Sequence, residues 1–175
     1  GTNYRSDSSY FYYPANEIPA YAFYDVANFR NNTKLTSIIL PDNVTSIDKV
    51  AFNICEALIS IIMPETVTNI GAYAFHGCQK LSDVSIPNFI ENIGSSAYYQ
   101  TKIKKIVLPV SLKSVGTNAF VATPIDTVVI LSPITELAGS IFYDCPNLRH
   151  VEFSSTINKI GNEVFRNSGI ENITI

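Results

Sequence analysis

The chain has 175 residues, of which 46% are hydrophobic and 15% are charged, with 15 acidic and 12 basic side chains and a net charge of −3. This composition argues against a disordered tail, and the lack of a Lys or Arg cluster argues against nucleic acid or an anionic membrane surface as partner. No apolar stretch approaches the roughly 20 residues that a membrane-spanning helix needs. At about 150 residues per domain, the length predicts one domain with a substantial core.

Residues 1–30 are predicted to form an N-terminal cap and a first partial repeat. They show no basic segment followed by an apolar one, as a secretory signal would. They are rich in aromatic side chains: Tyr4, Tyr10, Phe11, Tyr12, Tyr13, Tyr21, Phe23 and Tyr24. A bare terminal strand invites pairing with another chain, so we expect these side chains to cover it. The alternative is that the tyrosines recognise a partner.

Residues 31–175 are a series of repeats of 22 or 23 residues with the consensus LxxVxIPxxVxxIGxxAFxxC. One column holds an aromatic residue after Ala or a similar residue: Phe52, Phe75, Tyr98, Phe120, Phe142 and Phe165. Phe23 begins this series, but 29 residues separate it from Phe52, which indicates an insertion within YDVANFRNNTK. A single repeat has too few apolar side chains to close a core. We therefore predict that the repeats stack as coils of a solenoid.

Each repeat predicts the same local structure. The VxI segment alternates inward and outward side chains and predicts a short strand, paired in parallel with the next coil. A proline then ends the strand in four coils, at Pro41, Pro64, Pro87 and Pro109. GxxAFxxC predicts an irregular or short helical arc on the opposite side.

Two columns of the repeat carry more specific expectations. The glycine column (Gly71, Gly94, Gly116 and Gly161) predicts a tight turn. A positive φ there is one alternative, which Asp48 in this column tolerates and Ala138 does not. The aromatic rings are predicted to stack near 5 Å apart. Tyr98 breaks this column, and its hydroxyl needs a partner or a position near the surface.

The segment IGAYAFHGCQKLSDVSIP at 70–87 resembles the BspA-like, or treponemal-type, leucine-rich repeat, and AFNICEALISIIMP (51–64) and VGTNAF (115–120) are partial copies. Two coils depart from the pattern, with Thr101 and Thr123 at the Cys position and one residue fewer. The resemblance runs from about Leu35 to Ile175. It implies a right-handed solenoid with short parallel strands on one face and irregular or short helical arcs on the other. It also implies an extracellular or cell-surface location, because members are largely surface proteins, some of which bind host extracellular-matrix proteins.

The sequence offers little catalytic chemistry. Cys55, Cys78 and Cys145 are predicted to be buried free thiols, since parallel side-chain directions make a Cys55–Cys78 disulfide awkward. His76 is predicted to lie in an exposed loop, and His150 to point outward from a strand. No metal pair, nucleotide-binding fingerprint or hydrolase motif is present. We therefore expect a non-catalytic protein without metal or other cofactor.

The outer face of the predicted strands is the candidate binding site. One outward row reads Ile39, Ile62, Ser85, Val107, Val129 and Glu152, and the row before it contains Asp83, Lys105 and His150. A contiguous exposed apolar row marks a contact surface, whereas strand propensity alone also favours such residues. The leading hypothesis is a protein-binding module of a secreted or surface-displayed adhesion protein. The alternative is a structural spacer that self-associates through its C-terminal edge.

Overall fold

The computed structural model describes residues 4–6, 9–11, 16–25, 30–171 and 173. We label the coils 1 (16–34), 2 (35–57), 3 (58–80), 4 (81–102), 5 (103–124), 6 (125–147) and 7 (148–169). The described strands are β1 (Tyr4–Ser6), β2 (Ser9–Phe11), β3 (Glu17–Ile18), β4 (Tyr24–Asp25), β5 (Arg30–Asn31), β6 (Ser37–Ile39), β7 (Ser46–Ile47), β8 (Ser60–Ile62), β9 (Asn69–Ile70), β10 (Asp83–Val84), β11 (Asn92–Ile93), β12 (Lys105–Leu108), β13 (Ser114–Val115), β14 (Thr127–Ile130), β15 (Glu136–Leu137), β16 (His150–Glu152) and β17 (Lys159–Ile160).

Each coil from the second onward contributes one strand to each of two parallel ladders. The first ladder contains the predicted VxI strands, paired as β6–β8–β10 and as β12–β14–β16. The second ladder contains β3–β7–β9–β11–β13 and then β15–β17. Its strands end at the Ile, Val or Leu that precedes the glycine column, and they were not predicted from the sequence. The predicted parallel solenoid is confirmed, while the right-handed sense of the coil stays a prediction.

The arcs opposite the strands are not helical, so the prediction of short helical arcs is wrong for the described residues. In coil 2 the N–H groups of Val50, Phe52 and Ile54 donate to carbonyl oxygens of coil 3, at 2.9, 2.8 and 2.7 Å. A helix would need these N–H groups for bonds within its own segment. Val50 and Ile54 also have positive φ angles of 63° and 52°. Each arc is therefore a pair of tight turns bonded to the next coil. No helix able to cross a bilayer occurs in the described parts of the chain.

The glycine column reflects close approach of coils and not a positive φ. A Cβ built on Gly94 would lie 2.3 Å from the backbone nitrogen of Ala72, and one on Gly71 would lie 2.4 Å from that of Lys49. The left-handed residues are instead those two positions further on, such as Tyr73 at 59°. Glycine is thus selected because the backbone of the preceding coil occupies the space of a side chain.

Ala138 marks the place where the second ladder is interrupted. The N–H groups of Gly71, Gly94, Gly116 and Gly161 each donate to the preceding coil at 2.8 or 2.9 Å. No such bond joins Ala138 to Val115, although both residues are described. Asp48, also a non-glycine residue of this column, keeps its bond to Ile18 at 2.8 Å, so the lack of glycine alone does not account for the missing pairing of β13 with β15.

A continuous stack of aromatic rings forms the centre of the core. Centroid distances run from 4.6 Å for Phe23–Phe52 to 6.0 Å for Phe142–Phe165, with ring planes within 16° of parallel. The predicted stack is therefore confirmed. Tyr98 is 0% exposed, and its hydroxyl has no partner among the described atoms. This contradicts both expectations for that hydroxyl, because the stack holds the ring in the core.

The N-terminal part joins the solenoid through coil 1. Strand β3 pairs with β7, with Ile18 opposite Ile47, and Phe23 stacks on Phe52. The predicted insertion lies at the antiparallel hairpin β4–β5, and β1 and β2 form a second hairpin. Most of the aromatic side chains assigned to the cap lie outside the described residues, so the cap stays a prediction.

Candidate functional site

The N-terminal half of the first ladder presents a flat apolar patch. Strands β6 and β8 are in register, which places Ile39 directly opposite Ile62. Their side chains are 73% and 60% exposed. Ser37, Ser60 and Asp83 form the neighbouring outward row, also in register. Small hydroxyl side chains beside two exposed isoleucines leave the apolar surface accessible to a partner.

The C-terminal half of the ladder presents a smaller and more polar patch. Val107 pairs with Val129, and Val129 pairs with Glu152. Val107 is 40% exposed and Val129 is half-buried. The neighbouring row places Lys105 beside Thr127 and Thr127 beside His150.

The first ladder is interrupted between these halves, so the predicted row is two patches. Strand β10 ends at Val84 and does not pair with β12, and exposed Ser85 follows the end of β10. Asp126 donates its N–H to Lys104 in the coil before it, but no equivalent bond joins Lys104 to Ser82. The interruption coincides with the residue that coil 4 lacks between Thr101 and Ile103. Coil 5 lacks the corresponding residue between Thr123 and Ile125, yet β12 and β14 pair over four residues, so the shortening alone does not account for the interruption.

Ile59 belongs to the first patch and was not predicted from the sequence. It is 47% exposed and precedes β8, where its N–H donates to Thr36 at 2.8 Å. The same column holds Thr36, Ser82, Lys104, Asp126 and Arg149, all exposed. An isoleucine in an otherwise polar column was the signal available in the sequence.

We call the outer face of the first ladder the strand face. Its charged groups are not engaged in ion pairs among the described residues. The ion pairs found there are Lys113–Glu91 at 2.7 Å, Lys159–Glu136 at 2.8 Å and Arg166–Glu163 at 2.5 Å. None involves Asp83, Lys105, His150 or Glu152. These side chains therefore remain available to orient a partner, a role that charges at the rim of an interface commonly have.

His76 is not the exposed loop residue that the sequence predicted. Its ring is stacked on that of Tyr99, with centroids 4.8 Å apart, and is tilted against Tyr73 at 5.6 Å. Its Nδ1 is buried without a hydrogen-bond partner among the described residues. Burial therefore lowers the pKa of His76. The ring packs as a partly buried aromatic group on the arc side, away from the strand face.

The three cysteines are buried free thiols, as predicted. Burial raises the pKa of Cys55 to about 12 and also raises the pKa values of Cys78 and Cys145. Cys145 also lies 3.2 Å from the hydroxyl of Thr123, the residue at the Cys position of the coil before it. Within the described ranges, no group of three or more His, Cys, Asp or Glu side chains is arranged to hold a metal ion.

A shallow depression of 320 Å³ lies where the arcs of coils 2 and 3 meet the first ladder. Its lining includes Glu56, Gln79 and Lys80. It contains no side chain arranged as a nucleophile beside a base.

Stacked coils, two parallel ladders and one shared core define a repeat solenoid of the kind that presents extended contact surfaces. The model of the BspA type leucine rich repeat region matches residues 16–149 and 84–175, with six copies. The chain therefore belongs to the BspA-type leucine-rich repeat family.

Solved structures agree with this assignment. The chain is 27% identical to a leucine-rich repeat protein of T. pallidum, with a TM-score of 0.78 over 88% of this chain and 70% of that one. A leucine-rich repeat protein from Bacteroides ovatus is 23% identical, with a TM-score of 0.70 over 93% of this chain and 47% of that one. The pneumococcal vaccine antigen PcpA is 22% identical, with a TM-score of 0.57 over 75% and 31%. The last two show the fold alone, and the chain spans less than half of each. No curated protein matches the sequence.

Proposed function

We propose that this protein is a non-catalytic binding module of a secreted or cell-surface protein, and that its strand face contacts another protein. The observation that carries the proposal is the register pair Ile39–Ile62, two large apolar side chains that are 73% and 60% exposed on neighbouring strands. Burying each side chain contributes about 1.5–3 kcal/mol. The unpaired charges of Asp83, Lys105 and Glu152, together with the polar ring of His150, orient the partner. Family membership supports an extracellular location and a host-matrix protein as the partner.

The test uses a panel of purified extracellular-matrix proteins, with binding measured by biolayer interferometry. The variant Ile39→Asp/Ile62→Asp adds two charges to the first patch, and Val107→Asp/Val129→Asp adds two to the second. We expect at least one of these variants to lose affinity for a bound matrix protein by about 100-fold or more, since the aspartates remove apolar burial and require desolvation.

The matched control is Ser46→Asp/Asn69→Asp. These residues are a register pair in the same two coils but on the second ladder, so the net charge changes equally. The control is expected to bind like the unmodified protein. Circular dichroism establishes that each variant is folded. Unchanged binding by both strand-face variants, or no binding to any protein of the panel, would refute the proposal.

Self-association is the alternative function. Ile173, which is 39% exposed, is the described apolar residue nearest the C-terminal edge. If self-association is the function, sedimentation velocity will show a concentration-dependent dimer that Ile173→Asp abolishes. A monomer at all concentrations removes this alternative and leaves the strand-face proposal intact.

A further inference from the structure

The turns that follow the first-ladder strands form a second exposed surface. We call it the turn ridge and define it as residues 41–43, 64–66, 87–89, 109–111, 131–133 and 154–156 in coils 2 to 7. Three apolar side chains on this ridge are exposed: Phe89 at 63%, Val110 at 68% and Leu131 at 49%. They are among the most exposed apolar residues of the described chain. They lie outside the strand face.

These three residues lie on consecutive coils. The hydroxyl of Ser111 donates to the carbonyl oxygens of Asn88 at 2.7 Å and Ile90 at 2.6 Å. Ser111 therefore lies beside Phe89, and Val110 is the residue before Ser111 in the same turn. The N–H of Leu131 donates to Leu108 at 2.9 Å, which places Leu131 beside the start of the turn that contains Val110. The three apolar side chains are thus exposed on consecutive coils of the turn ridge, each one position earlier in its turn than the one before.

Phe89 replaces a side chain that elsewhere bonds two coils together. In coil 3, Thr66 at the same position donates to the carbonyl oxygens of Asp42 at 2.9 Å and Val44 at 2.6 Å. Thr156 in coil 7 donates in the same way to Ile134 at 3.0 Å. A phenylalanine cannot make these bonds, and its ring is left in water. Coil 4 thus lacks this side-chain bond and exposes a ring in its place.

The other end of the ridge is acidic. Asp42 and Glu65 are exposed at equivalent positions in coils 2 and 3, and neither takes part in an ion pair with a described residue. Glu65 accepts hydrogen bonds from the N–H and the side-chain amide of Asn88, at 2.7 and 3.3 Å. These bonds fix the carboxylate but leave its charge. No Lys or Arg occurs in any of the six ridge segments, so the ridge is anionic in coils 2 and 3 and apolar in coils 4 to 6.

We propose that the turn ridge binds an extended protein segment with apolar side chains at one end and one or two Lys or Arg residues at the other. From Asp42 to Leu131 the ridge spans four coil steps, about 19 Å at the spacing of paired strands. An extended chain covers that distance in about six residues. Apolar burial on Phe89, Val110 and Leu131 supplies affinity, and the two carboxylates set the direction of the segment. This proposal does not depend on the strand face.

The test is selection from a phage-displayed library of random 12-residue peptides on the immobilised protein. We expect selected peptides to be enriched in Lys or Arg about four to six residues from aromatic or aliphatic side chains. Synthetic copies are then measured by fluorescence polarisation. Phe89→Ser, which introduces the side chain that coil 5 has at this position, should lower their affinity by about tenfold or more. Asp42→Asn/Glu65→Gln should lower it several-fold and weaken its dependence on salt.

Two variants on the strand face are matched controls. Asp126→Asn/Glu152→Gln changes the net charge equally, and Ile62→Ser removes a similarly exposed apolar side chain. Both should bind the peptides as the unmodified protein does. Failure to select any peptide, selection of peptides without basic residues, or unchanged affinity of the ridge variants overturns the proposal. A dimer in sedimentation that Phe89→Ser dissociates also overturns it, because the occupant is then a second copy of the chain. Loss of matrix binding in strand-face variants with intact peptide binding separates the two surfaces.

Discussion

The ring of Tyr98 is stacked on the ring of Phe75, with centroids 5.1 Å apart, and its buried hydroxyl has no hydrogen-bond partner among the described residues. Every other ring of this column is a phenylalanine. The stack thus holds a polar atom in the core, where a phenyl ring makes the same contacts without it. An unsatisfied buried hydroxyl costs about 1–3 kcal/mol.

We therefore predict that Tyr98→Phe stabilises the protein by about 1 kcal/mol, which raises Tm by about 2–4 °C for a chain of this size. Differential scanning calorimetry measures the change. The reciprocal variant Phe120→Tyr should lower Tm, because it adds a hydroxyl to the neighbouring ring. A lower Tm for Tyr98→Phe would show that the hydroxyl has a partner in solution.

The loss of stability caused by replacing a glycine with alanine should depend strongly on whether that glycine lies in the glycine column. Gly94→Ala places a Cβ 2.3 Å from the nitrogen of Ala72, and the coils must separate to admit it. We expect a loss of about 1–3 kcal/mol, measured by urea denaturation. Gly139→Ala is the control, since a Cβ built on Gly139 lies 3.3 Å from its nearest neighbour, the backbone oxygen of Asn162. Equal effects of the two substitutions would contradict close approach as the reason for glycine.

His76 predicts a loss of stability in mild acid. Burial lowers its pKa in the folded state, while the unfolded chain keeps a value near 6.5. The unfolded state then binds the proton more readily, so this stabilisation is present above about pH 6.5 and is lost as the pH falls towards the folded-state pKa. His76→Gln should flatten the decline in unfolding free energy from pH 7 to 5. A decline of the same steepness in His76→Gln would contradict burial of the ring as its cause.

The buried cysteines predict that the free energy of unfolding falls as the pH rises into the alkaline range. Burial raises the pKa of Cys55 to about 12, against about 8.5 in an unfolded chain. The stabilisation is therefore complete below about pH 8.5 and decreases as the pH rises towards the folded-state value. Replacing Cys55, Cys78 and Cys145 by Ala should reduce the slope of unfolding free energy between about pH 8.5 and 10.5.

Thiol accessibility checks the same burial independently. All three thiols should react with Ellman's reagent at pH 8 only after denaturation, because the thiolate must form and be reached. Rapid reaction of the native protein would show that at least one of these side chains opens to solvent.

Much of the candidate site could be predicted from the sequence because strands of a solenoid alternate their side chains. Ile39 and Ile62 are exposed in register, as their columns indicated. The missing pairing of β10 with β12 could not be predicted, since coil 5 is shortened near Thr123 as coil 4 is near Thr101 and its strand still pairs with β14. The ridge residue Phe89 was also missed. Its exposure follows from the path of a turn, and no alternation applies there.

The sequence by itself determined the family, the parallel stacking and the composition of the core. A column that recurs every 22 or 23 residues places like side chains above one another, as Phe75, Tyr98 and Phe120 show. Only the tertiary structure decided the path of each arc. The positions with left-handed backbone conformation hold residues as different as Val50, Tyr73 and Glu163, so the residue type does not predict these positions. Hydrogen bonds between coils impose these conformations, and such bonds exist only once two coils have met.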